Sequence, residues 1–296
     1  MTETVTNDSP QASTTSLILR ILKQLWMVLI IVGLLMFVAN NFSDILTYLK
    51  NIPLENILLS LLFIAIGRTL MMLVAYDSLL ALGENITRKT VFIIVSISDP
   101  AKYLPGGVWH FVGRAGYYQA EGISLKSGSQ ALLRENLWLI VSAGFSGGIF
   151  LIVAYSTQNI WLICGVFLAI WWIILKLWNP LLTSQAILRL LITQFFMWIS
   201  LALSFLLILP NLTNALDSNA LIISAFIISW LIGFVSLFAP SGLGIREAVL
   251  VALLLPVLSP SDSAIFALTH RILWIAVELI FTLVAWVVLN IDNREH

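Results

Sequence analysis

Charge is scarce in this chain: 10% of its 296 residues are Asp, Glu, Lys or Arg, while 60% are hydrophobic and the mean hydropathy is +1.00. That leaves too little polar surface to coat a water-soluble particle of this size, so a polytopic membrane protein is implied. Fifteen basic residues balance fifteen acidic ones, so no nucleic-acid partner and no strongly basic membrane-surface patch is expected. The one cysteine, Cys164, lies in an apolar run, which excludes a disulfide framework and a cysteine metal site and makes it a small apolar filler. His110 and His270 have no second ligand at metal-site spacing. The chain also lacks a Ser-His-Asp pattern, a nucleophile elbow and a GxxxxGK phosphate loop. Neither an enzyme nor a metal or cofactor site is therefore expected.

What the chain has is apolar runs. A transmembrane helix needs about twenty mostly apolar residues. Runs at Gln24 to Asn40, Leu54 to Tyr76, Glu135 to Tyr155, Trp161 to Leu177, Leu190 to Leu209 and Ala264 to Ile291 read as spans, and Thr90 to Gly113 and Leu221 to Val257 as broken segments. The fold class expected is an all-α polytopic membrane protein, with about six spanning helices plus two Pro/Gly-broken re-entrant hairpins in an inverted repeat. Eleven tryptophans and sixteen phenylalanines suit lipid-facing helices and interfacial belts. Residues 1–16 are polar and lack the basic start and early apolar core of a cleavable signal peptide, so they read as a disordered tail. Residues 292–296 read as a short cytoplasmic tail, and no extramembrane domain is expected at either end.

The breaks are Tyr103-Leu104-Pro105-Gly106-Gly107 and Phe238-Ala239-Pro240-Ser241-Gly242-Leu243-Gly244, about 135 residues apart, and each is followed by an arginine, Arg114 or Arg246. A broken membrane helix leaves backbone groups without partners, which is tolerated only where protein buries them or a polar cavity solvates them. If each broken segment is a hairpin returning to its own face, one side of the membrane collects Arg20, Lys23, Arg88, Lys89, Arg114, Lys126, Arg134, Lys176, Arg189 and Arg294. The other side has Lys50, and the loops Ser156 to Ile160, Pro210 to Asn219 and Ser259 to Ser263 carry no basic residue. The positive-inside rule then makes both termini cytoplasmic. A shift of about 135 residues lays span on span and hairpin on hairpin, with opposite starting sides. Residues 17–155 and 156–291 thus read as two membrane repeats of span, span, hairpin, span, the second inverted.

Charges inside such segments are costly and mark function. Arg68 sits deep in the second span, Lys102 and Arg114 flank the first break, Arg246 and Glu247 follow the second, and Arg271 and Glu278 lie seven residues apart on one face of the last span. A guanidinium beside the freed amides of a returning helix suits a phosphate or carboxylate. Glu247, Glu278 and Glu135 are candidate proton or ion carriers. The competing reading pairs these charges to hold helices together: Arg246 with Glu247 or Glu278, Arg134 with Glu135, and Asp99 with Lys102. Gly144 with Gly148, and Ala143 with Gly147, are spaced for close helix approach.

The run Ala239-Pro240-Ser241-Gly242-Leu243-Gly244-Ile245-Arg246-Glu247-Ala248 resembles the PGGxGxRE signature of the lysylphosphatidylglycerol synthase transmembrane family. Arg134-Glu135, Arg271, and Pro105-Gly106-Gly107 with Arg114 also look like family positions, and the likeness covers about residues 20 to 290. Ser241 stands where glycine is commoner, and the family's cytosolic aminoacyl-transfer domain has no counterpart, so lysyl transfer is not implied. The resemblance implies a bacterial-type plasma (inner) membrane flippase moving an anionic lipid, either a phospholipid or a polyprenyl-phosphate-linked saccharide, between leaflets. Arg246, Arg114, Arg271, Arg68 and Lys102 would hold the head group at the breaks formed by Pro105, Gly106, Gly107, Pro240, Ser241, Gly242 and Gly244. An ion-coupled carrier of a small anionic solute, and a membrane accessory subunit of a glycosyltransferase or lipid-modifying enzyme, are the alternatives. A homo-oligomer is compatible with either.

Overall fold

A computed structural model describes Met36, Ala39 and residues 42–104, 107–155, 160–178, 182–209, 216–236 and 239–295. The polar tail at 1–16, nearly all of the expected first span, and the pair Pro105 and Gly106 lie outside the described residues. Every regular element among the described residues is helical. They are α1 Phe42–Asn51, α2 Leu54–Leu80, α3 Arg88–Ser98, a 3-10 turn Asp99–Tyr103, α4 Trp109–Ala120, α5 Leu125–Tyr155, α6 Ile160–Trp178, α7 Ser184–Leu206, α8 Leu216–Val235, a 3-10 turn Pro240–Gly242, α9 Ile245–Leu254 and α10 Pro260–Glu295.

Polar caps fix several helix starts. The Thr87 hydroxyl accepts from the Thr90 amide at 3.0 Å, that of Thr183 from the Ala186 amide at 3.2 Å, and that of Ser124 from the Ser127 amide at 3.1 Å. Each satisfies an amide that would otherwise have no intrahelical partner. α2, which follows Pro53 and has no side-chain cap, begins where its apolar run begins, but α5 and α7 start about ten and six residues before the runs that mark them, because their first turns are polar.

Five helices are long and apolar enough to cross a bilayer: Leu54–Leu80, Leu125–Tyr155, Ser184–Leu206, Ser218–Val235 and Pro260–Ile291. This makes the chain a multi-pass membrane protein. Ser218–Val235 belongs to the segment read from sequence as half of a hairpin, and its length alone suffices to span. The first arm of the other broken segment, Arg88–Ser98, has 11 residues and a rise of about 16 Å, half the hydrocarbon thickness. The two broken segments therefore have unequal first arms.

Helix α2 packs along α7, α5 along α8, and α3 against α10. The remaining neighbours fall into matching sets: α2 touches α3 as α7 touches α8, α3 touches α4 as α8 touches α9, and α4 touches α5 as α9 touches α10. The main core holds Trp138, Trp198, Phe205 and Phe226, all fully buried. Close approach depends on glycine at the two longest crossings. A Cβ at Gly67 of α2 would come within 2.4 Å of the Leu201 side chain of α7, and one at Gly147 of α5 within 2.9 Å of Ile228 on α8. Ser224 of α8 donates to the Gly147 carbonyl at 2.8 Å, and Ser60 of α2 to the Ser204 carbonyl at 2.7 Å, so hydroxyls tie the same crossings. Outward faces carry Leu168, Ile170 and Trp172 on α6, and Leu279, Ile280, Leu283 and Trp286 on α10, an apolar exterior suited to lipid.

Candidate functional site

The first break follows from proline chemistry. Pro100 has no amide hydrogen to give to the Ser96 carbonyl four residues back, so α3 stops at Ser98 and tightens into the turn Asp99–Tyr103. The carbonyl left free is not lost: Thr282 of α10 donates its hydroxyl to Ser96 at 2.8 Å. Chain direction then changes through Gly107, whose φ of 67° a side chain would resist, and α4 begins at Trp109.

Around this break lies a buried ionic network. Asp99 accepts from Arg68 Nη2 through one oxygen and from Arg114 Nη2 at 2.7 Å through the other. Arg114 Nη1 reaches both oxygens of Glu135, at 2.8 and 3.0 Å. Glu278 of α10 accepts from Lys102 Nζ, from the Tyr103 hydroxyl at 2.8 Å and from Trp274 Nε1 at 2.7 Å, with Arg68 Nη1 at 3.2 Å. Three cations thus face three carboxylates, drawn from α2, α4, α5, α10 and the turn. Breaking one such pair strands a charge in low dielectric, whereas the intact set compensates itself.

The second break is built differently. After Val235 the chain passes through Pro240–Gly242, with φ of 53° at Ser241, 69° at Gly242 and 80° at Gly244. A Cβ on Gly242 would come within 2.7 Å of the Gly233 carbonyl oxygen, and one on Gly233 within 2.8 Å of Arg246 Cβ. The turn therefore lies against α8 at Gly233, and the same glycine leaves room for Arg246 to sit against that helix. Glu247 accepts from the Gly244 amide at 2.7 Å and so caps the start of α9. Arg271 of α10 donates to the Ser241 carbonyl at 2.8 Å and to its hydroxyl at 3.0 Å. Serine in a place that usually favours glycine is explained here: its hydroxyl is a second acceptor for Arg271.

The two turns adjoin. Tyr103 of the first lies with its ring centroid 5.7 Å from Arg271 Cζ, while Arg271 holds the second. Next to them is a small pocket whose walls include Arg246, Glu247, His270, Arg271, Phe205 and Phe226. Arg246 is 7% exposed and sits over the rings of Phe226, at 5.1 Å, and Trp274, at 5.4 Å. Among the described residues no carboxylate forms an ion pair with Arg246 or Arg271, and Arg271 Nε is buried without a partner. His270 shares a hydrogen between Nε2 and the Ser204 hydroxyl at 2.8 Å, with Phe205 and Phe226 edge-on to its ring. This arrangement offers buried donors and positive charge to an anion.

Of the residues singled out from sequence, the structure brings Arg68, Lys102, Arg114, Glu135 and Glu278 into one network, and sets Arg246, Glu247, Arg271, Ser241, Gly242 and Gly244 beside it. The pairings expected in the competing reading are corrected. Glu135 goes to Arg114, and Arg134 Nη1 instead donates to the Ala81 carbonyl at 3.1 Å, because consecutive helical residues point about 100° apart. Lys102 goes to Glu278, Asp99 to the two arginines, and neither Glu247 nor Glu278 forms an ion pair with Arg246. Arg271 and Glu278 do share a face, both meeting Tyr103. Sequence reasoning missed Tyr103, Trp274, Phe226 and Gly233. Trp274 had a signal, standing four residues before Glu278 and hence above it on the helix; Gly233 and Phe226 had none.

The chain matches no family model and no curated protein. Fold and site together define a multi-pass helical membrane protein with two interrupted segments meeting at buried charge.

Proposed function

We propose that this protein is a lipid translocase, moving an anionic lipid or lipid-linked saccharide between leaflets with the lipid phosphate held at Arg246 and Arg271. The observation that carries the reading is Arg246: a buried guanidinium on an aromatic bed, without a carboxylate partner, lining a cavity at the start of α9. A charge placed in a membrane interior costs about 3 kcal/mol on insertion scales, so an unpaired one needs a reason that packing does not supply. Arg68, Lys102 and Arg114 are engaged by carboxylates, which favours a structural share for them in the site and leaves Arg246 and Arg271 as the head-group ligands. The resemblance of the second break to the lysylphosphatidylglycerol synthase transmembrane family points to the same activity, without aminoacyl transfer.

In this proposal the broken segments are re-entrant hairpins, the second with a long first arm, and the two repeats are inverted copies. The matched neighbour sets support that reading: α2 against α7 on the pseudo-axis, α3 against α10 answered by α8 against α5. The membrane is a bacterial-type plasma membrane with both termini cytoplasmic, as the basic loops favour. With no nucleotide motif, directional movement draws on an ion gradient or on consumption of the lipid at the far leaflet. The test is reconstitution of the full chain in liposomes with fluorescent phospholipid in one leaflet. Wild-type protein is expected to move the label, and Arg246→Ala to reduce the rate at least tenfold with melting temperature kept; undiminished transfer by that variant overturns the site.

A further inference from the structure

We infer that the site accepts a head group carrying one negative charge, a phosphodiester in preference to a phosphomonoester dianion, and that Glu247 sets this number. The inference rests on the anion-site reading above and specifies its substrate class.

Charges buried in a bilayer are favoured in compensating sets, since a charge moved into low dielectric loses its hydration and recovers that cost from an opposite charge nearby. At the first break the account closes: Arg68, Lys102 and Arg114 against Asp99, Glu135 and Glu278. At the second it does not: with Glu278 already counted, Arg246 and Arg271 add two positive charges and Glu247, in the same pocket wall, one negative, an excess of one positive charge. Glu247 is fixed in that role. Its carboxylate accepts from the Gly244 amide at 2.7 Å and is held at the start of α9 as the cap of that helix. The other titratable groups facing this region are an imidazole and a phenol: His270 hydrogen-bonds the Ser204 hydroxyl among Phe205, Phe226 and Trp274, and the Tyr103 phenol donates to Glu278. A monoanion between Arg246 and Arg271 brings the buried charge to zero. A dianion overshoots, and its second charge meets the Glu247 carboxylate in the same wall.

The discriminating pair of ligands is short-chain phosphatidylmethanol and short-chain phosphatidic acid, which differ by a methyl group and a charge. At pH 8.5 the monoester is dianionic, its second ionisation lying at about 6. Binding to the purified full chain in neutral detergent is expected to favour phosphatidylmethanol. Glu247→Gln keeps the amide acceptor of the cap but raises the excess to two, and should swing the affinity ratio about tenfold toward phosphatidic acid. Lys102→Met, at a half-buried position in the other network, lowers the total by one and should swing it the opposite way. Tighter binding of phosphatidic acid by the wild type, or ratios unmoved in folded Glu247→Gln and Lys102→Met, overturns the inference; if Glu247→Gln fails to fold, an unmoved ratio in Lys102→Met overturns it. Binding of neither lipid overturns the anion site itself, and this inference with it.

Discussion

At the residue scale, the second break turns on hydrogen atoms where side chains would be. Gly242 is held at a φ of 69° with its α-carbon side against the Gly233 carbonyl, so both conformation and space forbid a Cβ. Gly242→Ala is expected to cost at least about 2 kcal/mol, the sum of left-handed strain and a backbone that cannot yield. Thermal denaturation in detergent checks it, with Ala248→Gly at an exposed position of α9 as the mild comparison. Ser241 is the opposite case, since its strained φ of 53° is offset by two hydrogen bonds from Arg271. The location of these residues was legible in the sequence, because Pro, Gly and Arg close together in an apolar run have few other meanings. Their partners were not. The Lys102–Glu278 contact joins the first turn to α10 across most of the chain and Arg68–Asp99 joins α2 to the same turn, and nothing local in either sequence neighbourhood encodes the match.

At the scale of the element, helix approach decides where the breaks can meet. α2 and α7 cross with Gly67 against Leu201, so Gly67→Ala should push the two apart and destabilise the protein by about 1–3 kcal/mol. Leu201→Ala added to it should recover part of that loss, because the smaller side chain leaves room for the new methyl group; a double-mutant cycle in melting temperature reads the recovery. Sequence spacing had pointed to glycines in α5 as sites of close approach, and Gly147 is one, while Gly144 is only at ordinary contact distance from Leu231. Helix α10 was legible as a span carrying Arg271 and Glu278 on one face. Its larger share was not: through Thr282 and Arg271 it supplies a donor to a carbonyl in each broken segment, at Ser96 and Ser241. That role depends on rotation about the helix axis, which an apolar run of uniform composition leaves undetermined.

At the scale of the whole molecule, the arrangement of loops makes a prediction about sides. With Cys164 replaced by serine, a cysteine at exposed Asn85 should face the cytoplasm and one at exposed Ser261 the outside. A membrane-impermeant thiol reagent applied to intact cells should therefore label Ser261→Cys at once and Asn85→Cys only after permeabilisation. Labelling of both from outside would break the inverted arrangement. The all-helical, multi-pass character was readable from composition together with run length, since few charges mark a membrane protein and apolar runs of about twenty residues mark helical spans. The unequal first arms were not readable, because α8 continues into the polar start Leu216-Asp217-Ser218-Asn219, which hydropathy trims away.

The single excess positive charge of the guanidinium pair beside the second turn has a consequence for how the protein is handled. A molecule whose vacant form holds excess positive charge away from water is at its least stable when empty, and any ligand that binds only the folded chain raises its melting temperature by mass action. At a hundredfold excess over the dissociation constant that gain is about 2.7 kcal/mol. Melting curves recorded in neutral detergent should accordingly shift upward on adding phosphatidylmethanol, and Arg246→Ala should lose the shift while its unliganded melting temperature equals or exceeds that of the wild type. Extraction that strips lipid would then select against the native protein, and supplementation with an anionic lipid would act as a pharmacological chaperone for it.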